Sequence, residues 1–152
     1  MVDRDRPLLH GESGFRLLFQ GHIMRLNQVT LSARHLDDSI AFYRLLGLRL
    51  IVQSAHYARF ECPDGEATFS LHLDPDFAGG SGAVVYFEHD VLDVLVADLQ
   101  ARGVVFDSPP QDQTWLWREA CLSDPSGNRL CLFQAGRARR YPPWRLPQAD
   151  QA

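Results

Sequence analysis

Residues 36–48 read LDDSIAFYRLLGL, and this stretch predicts a short amphipathic helix that ends at a glycine. The polar run Asp37-Asp38-Ser39 is typical of a helix start, and apolar residues follow it at helical spacing. Gly47 stands where a helix commonly ends in a left-handed residue. Before the helix, residues 28–31 predict a short strand, and after it the alternating pattern from Leu48 predicts a half-buried one.

The same pattern returns 56 positions later. Leu92 corresponds to Leu36 and Gly103 to Gly47 (92 − 36 and 103 − 47), so a second helix is predicted between strands of its own. The remaining predicted strands cover residues 57–62, 68–73, 83–87, 104–106, 116–122 and 129–133. An internal repeat means that each unit has an apolar face it cannot cover alone, so the two copies should pack together.

We therefore predict an α+β fold, in which two tandem βαβββ modules form one curved eight-stranded sheet with a helix outside each half. The inner side of such a sheet is a cup, which suits a small-molecule ligand. The predicted segments are a leader or vector-derived arm (1–23), a first module (24–78), a Gly-rich joint (79–82), a second module (83–135) and a basic aromatic tail (136–152).

Composition excludes several classes of protein. The formal charge of −4 is too mild for a polyanion-binding protein, so no nucleic-acid partner is expected. No run approaches the roughly 18 apolar residues that a membrane span needs, so no membrane partner is expected either. The three cysteines, Cys62, Cys121 and Cys131, show no CxxC spacing and fit a reducing cytoplasm.

Two motifs resemble those of the vicinal-oxygen-chelate superfamily, which includes glyoxalases, bleomycin resistance proteins and extradiol dioxygenases. Residues 36–43 resemble its "DLxxSxxFY" helix start, and residues 124–128, DPSGN, resemble its "DPDGN" turn. The resemblance covers residues 26–133 and implies the duplicated fold described above. It does not by itself select a function, because this superfamily includes enzymes and metal-free antibiotic-binding proteins.

The resemblance also implies a divalent metal held by the first and last strands of each module. At those positions this chain has Gln28, His72, Val84 and Cys131. Valine cannot bind a metal, so the candidate ligands are Gln28, His72 and Cys131, with the first two side by side on the inner wall. Imidazole and thiolate donors suit zinc best, and the alternative is a protein without a metal.

Glu88 and His72 are the candidate catalytic residues. Glu88 lies an even number of residues from Val84 on one predicted strand, so the two side chains should face the same way. It could serve as an acid or base, and its alternative role is an ion pair with Arg59 or Arg118.

The candidate ligand-binding residues are mainly aromatic. Strand alternation would place Trp115, Trp117 and Glu119 on one face, where two tryptophans form a flat wall for a planar ligand. The alternative is that they pack against a partner module or subunit. Arg59 and Tyr86 complete this set. The arginine could pair with a ligand carboxylate or phosphate.

Two functional hypotheses follow from the sequence. The first is a glyoxalase-like protein that binds a small molecule in the cup, as a lyase or isomerase with a degenerate metal site. Val84 and Cys131 argue against true glyoxalase I activity. The second is a metal-free protein that binds a drug or metabolite, as bleomycin resistance proteins do. The tail, with Trp144, is expected to pack across a subunit boundary in a homodimer.

Overall fold

The computed structural model describes residues 24–147, so the predicted leader and residues 148–152 lie outside the described part. Eight strands and two helices follow one another in the predicted order, which confirms the tandem βαβββ modules. The elements are β1 (Gln28–Ala33), α1 (Leu36–Leu45), β2 (Arg49–Gln53), β3 (Tyr57–Glu61), β4 (Thr68–Leu73), β5 (Val84–Glu88), α2 (Leu92–Ala101), β6 (Gln111–Asp112), β7 (Arg118–Ser123), β8 (Arg129–Gln134) and a 3-10 helix (Gly136–Arg139).

Each module builds its own four-stranded sheet. The strand orders are β1-β4-β3-β2 and β5-β8-β7-β6, and each sheet begins with a parallel pair. Among the described residues, no strand of one sheet is paired with a strand of the other, so the eight predicted strands are divided four and four. The strand pairs β1–β4 and β5–β8 place the first and last strands of each module side by side.

Both helices end at the predicted glycines. Gly47 has a φ of 100° and Gly103 a φ of 92°, a conformation that side chains with a Cβ rarely adopt. The N–H after each glycine donates back into the helix, from Leu48 to the Tyr43 carbonyl and from Val104 to the Leu99 carbonyl. The described helices are too short or too polar to cross a bilayer.

The predicted strand at residues 104–106 is wrong. The N–H of Val104 is already used to close α2, at 3.0 Å from the Leu99 carbonyl oxygen. Pro109 and Pro110 lack the N–H that a sheet ladder needs. On the side of β7 away from β8, its partner is the two-residue β6. The edge strand of the second sheet, β6, is therefore two residues long, whereas the edge strand of the first sheet, β2, has five residues.

One hydrophobic core runs through both modules. Phe69 on β4 packs on Tyr43 of α1, with ring centroids 4.5 Å apart. The same ring meets Phe87 of β5 edge-on at 5.8 Å, which joins the two modules. The strand residues that face this core include Leu31, Ala58, Phe60, Leu71, Ala120, Leu122, Leu130 and Leu132.

The turn between β7 and β8 docks on the first module. The Tyr43 hydroxyl donates to Asp124 Oδ2 at 2.7 Å, in a buried contact. Asn128 donates through Nδ2 to the Ser32 carbonyl at 2.8 Å and to Asp124 at 2.8 Å. We name this set of contacts, made by residues 124–128, the module latch. These contacts explain the DPSGN motif, because its Asp124 and Asn128 side chains hold the two modules together.

Candidate functional site

The candidate site lies on the sheet faces that point away from the core. Because strand side chains alternate, residues next to each buried position lie on the opposite face. On the first sheet this face is polar and includes Gln28, Thr30, Thr68, Ser70, His72, Tyr57 and Arg59. On the second sheet it carries aromatic, acidic and thiol groups, namely Tyr86, Trp117, Glu119, Cys121, Cys131 and Phe133.

Gln28 is held by its neighbours on the polar face. Its Nε2 donates to Ser70 Oγ at 3.2 Å, and its Oε1 accepts from Thr68 Oγ1 at 2.9 Å. Ser70 Oγ also lies 2.6 Å from Thr30 Oγ1. Both ends of the Gln28 amide are thus engaged within the sheet.

Gln28 and His72 share this face but are not neighbours, so the expectation that they lie side by side is not met. In the parallel β1–β4 pair, Gln28 is opposite Thr68, whereas His72 is opposite Ser32. Four residues of strand separate them, which corresponds to about 13 Å along the sheet. The third candidate ligand, Cys131, belongs to the second sheet, in register with Tyr86. The metal-binding role of these three residues stays a prediction.

Arg59 is paired with a tyrosine rather than with an acid. Its Nε donates to the Tyr57 hydroxyl at 2.9 Å, and its guanidinium lies 5.4 Å from that ring's centroid. Hydrogen bonding to Ser70, and next the bond and charge of Arg59, lower the pKa of Tyr57. Within residues 24–147 no carboxylate forms an ion pair with Arg59, so its charge is available at the surface.

Three aromatic rings form a contiguous surface on the second sheet, which we name the aromatic wall. Trp117 stacks on Phe133 with centroids 4.7 Å apart and planes 27° apart. Tyr86 meets both rings edge-on, at 6.0 Å from Trp117 and 5.6 Å from Phe133. Tyr86 is 47% exposed, whereas Phe133 is buried. The wall therefore has a fixed base and an open outer edge.

Trp115 does not form part of this wall, because the strand alternation assumed for it is interrupted. Leu116 has a φ of 69°, which places it in a tight turn, and β7 begins only at Arg118. The Trp115 indole N–H instead donates to Glu119 Oε1 at 2.8 Å. Trp115 thus fixes the position of a buried carboxylate.

Glu119 is the centre of a cluster that the sequence analysis missed. Its carboxylate and the thiols of Cys121 and Cys131 present three ligand atoms within 4.8 Å of one another. Burial, and then the adjacent Cys121 and Glu119, raise the pKa of the Cys131 thiol well above its usual range. Folding the sequence about the DPSGN turn would have paired the two cysteines, since Cys121 lies directly opposite Cys131.

Glu88 is engaged with the C-terminal tail. One of its oxygens lies 3.0 Å from Arg139 Nε, and the other accepts from the Gly136 N–H at 3.2 Å. The expected arginine partners are thus replaced by Arg139, while Arg118 binds Asp93 at 2.8 Å. The catalytic roles of Glu88 and His72 stay predictions.

Tyr86 of the aromatic wall and Val84 on the same strand remain exposed in the chain. An apolar cleft of about 380 Å³ lies between the modules, where the end of α1 meets β5. Of the predicted site residues it includes only Glu88, beside Phe87, Leu95 and Leu132.

Residues 25–132 match the family model of the Glyoxalase/Bleomycin resistance protein/Dioxygenase superfamily. The chain belongs to this superfamily. The match covers nearly all of both modules, the module latch, and Tyr86 and Trp117 of the aromatic wall. It confirms the resemblance seen in the two sequence motifs.

This chain is similar to one curated protein and to two solved structures described below. An uncharacterized protein of Mycolicibacterium smegmatis is 29% identical over 109 residues, which cover 71% of this chain and 91% of the relative. A glyoxalase/bleomycin resistance protein/dioxygenase from Nocardioides has a TM-score of 0.66 and 25% identity, covering 88% of this chain and 96% of its own. A bleomycin-binding protein complexed with bleomycin has a TM-score of 0.62 and 22% identity, covering 74% and 98%.

The metal arrangement implied by superfamily membership does not fit the residues present. Val84 offers no donor at the first-strand position of the second module, and the Gln28 amide is used by Thr68 and Ser70. His72 lies far along the sheet from Gln28. The donors at these positions are thus not gathered at one point of the first sheet, and metal binding by Gln28, His72 and Cys131 stays a prediction from the sequence.

Proposed function

We propose that this protein binds a planar aromatic small molecule against the aromatic wall. The observation that carries the proposal is the stacked pair of Trp117 and Phe133 with Tyr86 edge-on beside it. Aromatic rings prefer offset-stacked or edge-to-face contacts and bury much apolar area, so a flat ligand gains from both. The open edge at Tyr86 is where such a ligand would enter.

The bleomycin-binding relative supports this choice of ligand class. It shares the fold and is complexed with a small molecule, although 22% identity shows the fold alone. Ligand binding by this chain is therefore proposed from its own aromatic residues. The guanidinium of Arg59, which forms no ion pair within residues 24–147, and the hydroxyl groups of the polar face would supply hydrogen bonds to polar parts of the ligand.

We further propose that the protein acts as a homodimer in the cytoplasm. Apolar side chains around the wall stay exposed in one chain, among them Val84, Tyr86, Trp115 and Leu116. A second copy that covered this region would remove apolar area from water and enclose the ligand. The unpaired cysteines fit a reducing compartment, which cell fractionation with an antibody to the protein would check.

Binding to the wall is tested by calorimetric titration with bleomycin and a panel of planar aromatic compounds. Trp117→Ala should weaken binding about tenfold or more, since an aromatic pair contributes about 0.5–1.5 kcal/mol beyond its buried area. Tyr86→Ala removes a ring that is more exposed. It should also weaken binding, and it should affect folding less than Trp117→Ala does.

The matched control is Trp144→Ala, which removes an exposed tryptophan of the tail. This variant should bind as the parent does, and circular dichroism should show all three variants folded. Equal affinity of Trp117→Ala and the parent, or no binding of any compound in the panel, would contradict the proposal.

A lyase or isomerase reaction through Glu88 and His72 is the other functional hypothesis from the sequence. Glu88 is bound to Arg139 and Gly136, and His72 lies on the other sheet. No observation in the described chain favours this reaction over binding, so the hypothesis stays a prediction from the sequence.

A further inference from the structure

The Glu119–Cys121–Cys131 cluster shares only Cys131 with the four positions implied by the superfamily, because its other two members come from β7. Cys121 and Cys131 are directly opposite each other in the antiparallel β7–β8 pair. Glu119 is two residues before Cys121, so its side chain lies on the same face of the sheet. All three ligand atoms lie within 4.8 Å of one another.

The carboxylate of this cluster is oriented before any ligand arrives. Its Oε1 accepts the Trp115 indole N–H at 2.8 Å, and Glu119 is only 8% exposed. A buried carboxylate is stabilised when it is hydrogen-bonded or paired with a cation. Among the described residues no basic side chain forms an ion pair with Glu119, so the cluster lacks a positive charge of its own.

We propose that Glu119, Cys121 and Cys131 bind one zinc ion, with a fourth coordination position left open. Two thiolates and one carboxylate suit zinc, which takes four ligands in a tetrahedral arrangement, and softer sulfur donors select against magnesium and calcium. Three protein ligands with one open position are typical of zinc sites that bind a further molecule.

The open position would face the aromatic wall. Tyr86 lies in register with Cys131 across the β5–β8 pair, and Phe133 is in register with Glu119 across β7–β8. A ligand that stacks on the wall and carries an oxygen, nitrogen or sulfur donor could therefore reach the zinc ion. The zinc site does not depend on the proposed function, since metal binding is measured without an organic ligand.

Zinc binding is tested on the full chain, reduced with a phosphine and freed of metal. After excess zinc is added and the free ion is removed by gel filtration, the reduced protein should retain one equivalent of zinc, measured by mass spectrometry of the metal. Replacement by Co²⁺ should give the absorption of a thiolate-to-cobalt charge transfer, which reports the sulfur ligands directly. Cys121→Ser and Cys131→Ser should each lose the retained zinc and this absorption.

Two matched controls distinguish this site from other sources of zinc. Cys62→Ser removes a thiol of the first module, and His72→Ala removes the imidazole of the earlier predicted ligand set. Both variants should retain one equivalent of zinc.

Trp115→Phe keeps an aromatic ring but loses the N–H that donates to Glu119, so its zinc affinity should fall about 10- to 100-fold.

The proposal is overturned if the reduced parent protein retains no zinc. It is also overturned if His72→Ala or Cys62→Ser loses as much bound zinc as Cys131→Ser does. It is also overturned if Co²⁺ binds without the thiolate absorption. A failure of aromatic ligands to bind Trp117-intact, zinc-loaded protein would contradict the proposed function and leave the zinc site unaffected.

Discussion

Tyr43 is a single side chain that connects the core to the module latch. Its ring packs against Phe69, and its hydroxyl donates to Asp124 in a buried hydrogen bond. Burial, the Asp124 charge and the hydrogen bond together raise the pKa of the phenol well above its usual range. The proton is thus held more strongly in the folded protein than in the unfolded chain.

Stability should therefore fall as the pH rises above about 10, the ordinary pKa of a tyrosine. The folded pKa is raised, so the contribution of Tyr43 is complete below pH 10 and is lost as the pH rises toward the folded value. In this range the free energy of unfolding should fall less steeply with pH in Tyr43→Phe than in the parent. The difference should reach about 1.4 kcal/mol per pH unit, measured by urea unfolding at constant ionic strength.

At pH 7 the same variant should lose about 1.5–3 kcal/mol of stability, because a hydrogen bond to a charged group is removed. Tyr141→Phe, at an exposed tyrosine of the tail, is the matched control and should stay within about 0.5 kcal/mol of the parent. Identical alkaline slopes for Tyr43→Phe and the parent would show that the phenol does not carry this pH dependence.

Among the elements, the two helices show most clearly what the sequence could predict. Both glycine termini were predicted, because a helix end depends on a few adjacent residues. Trp115 was misplaced because the left-handed Leu116 interrupts the strand pattern, and no residue type in that turn announces such a conformation. The strand at residues 104–106 was predicted wrongly for a related reason, since the helix end uses the N–H of Val104.

Gly47→Ala and Gly103→Ala should each reduce the free energy of unfolding by about 1 kcal/mol. No heavy atom lies within 4 Å of a Cβ built at either glycine, so the cost comes from the backbone conformation alone. The two losses should add in the double variant, because the sites lie in different modules. Urea denaturation monitored by circular dichroism measures the free energy of unfolding of each variant.

Asparagine tolerates the left-handed conformation better than alanine, so Gly47→Asn should lose less stability than Gly47→Ala. Equal losses for the two variants would mean that steric contact, and not backbone conformation, sets the cost at this position.

For the whole molecule, the duplication was predictable and the relative position of the site residues was not. The repeat offset gave two modules, and the superfamily match confirms them. The distance between Gln28 and His72 depends on the register of a parallel strand pair separated by a helix and two strands, which local pattern does not specify. The Glu119 cluster likewise appears only once β7 and β8 are paired.

We expect sedimentation velocity to show a dimer, because the face around the aromatic wall is apolar and exposed. Val84→Glu places a charge beside the wall and should shift the protein toward monomer. Val94→Glu, on α2, is the matched control and should not, since this residue is 65% exposed on another surface. A parent protein that sediments as a monomer at high concentration would contradict the expectation.

The module latch makes the two copies of the repeat unequal. Only the second module carries a turn whose buried acid and amide reach across to its sister, whereas the matching Pro63-Asp64-Gly65 turn is largely exposed. A first half expressed by itself would leave the Tyr43 hydroxyl without its carboxylate and open part of the common core. Each half of the repeat thus depends on its sister for part of its buried contacts, and we expect the first half on its own to be less stable than the full chain.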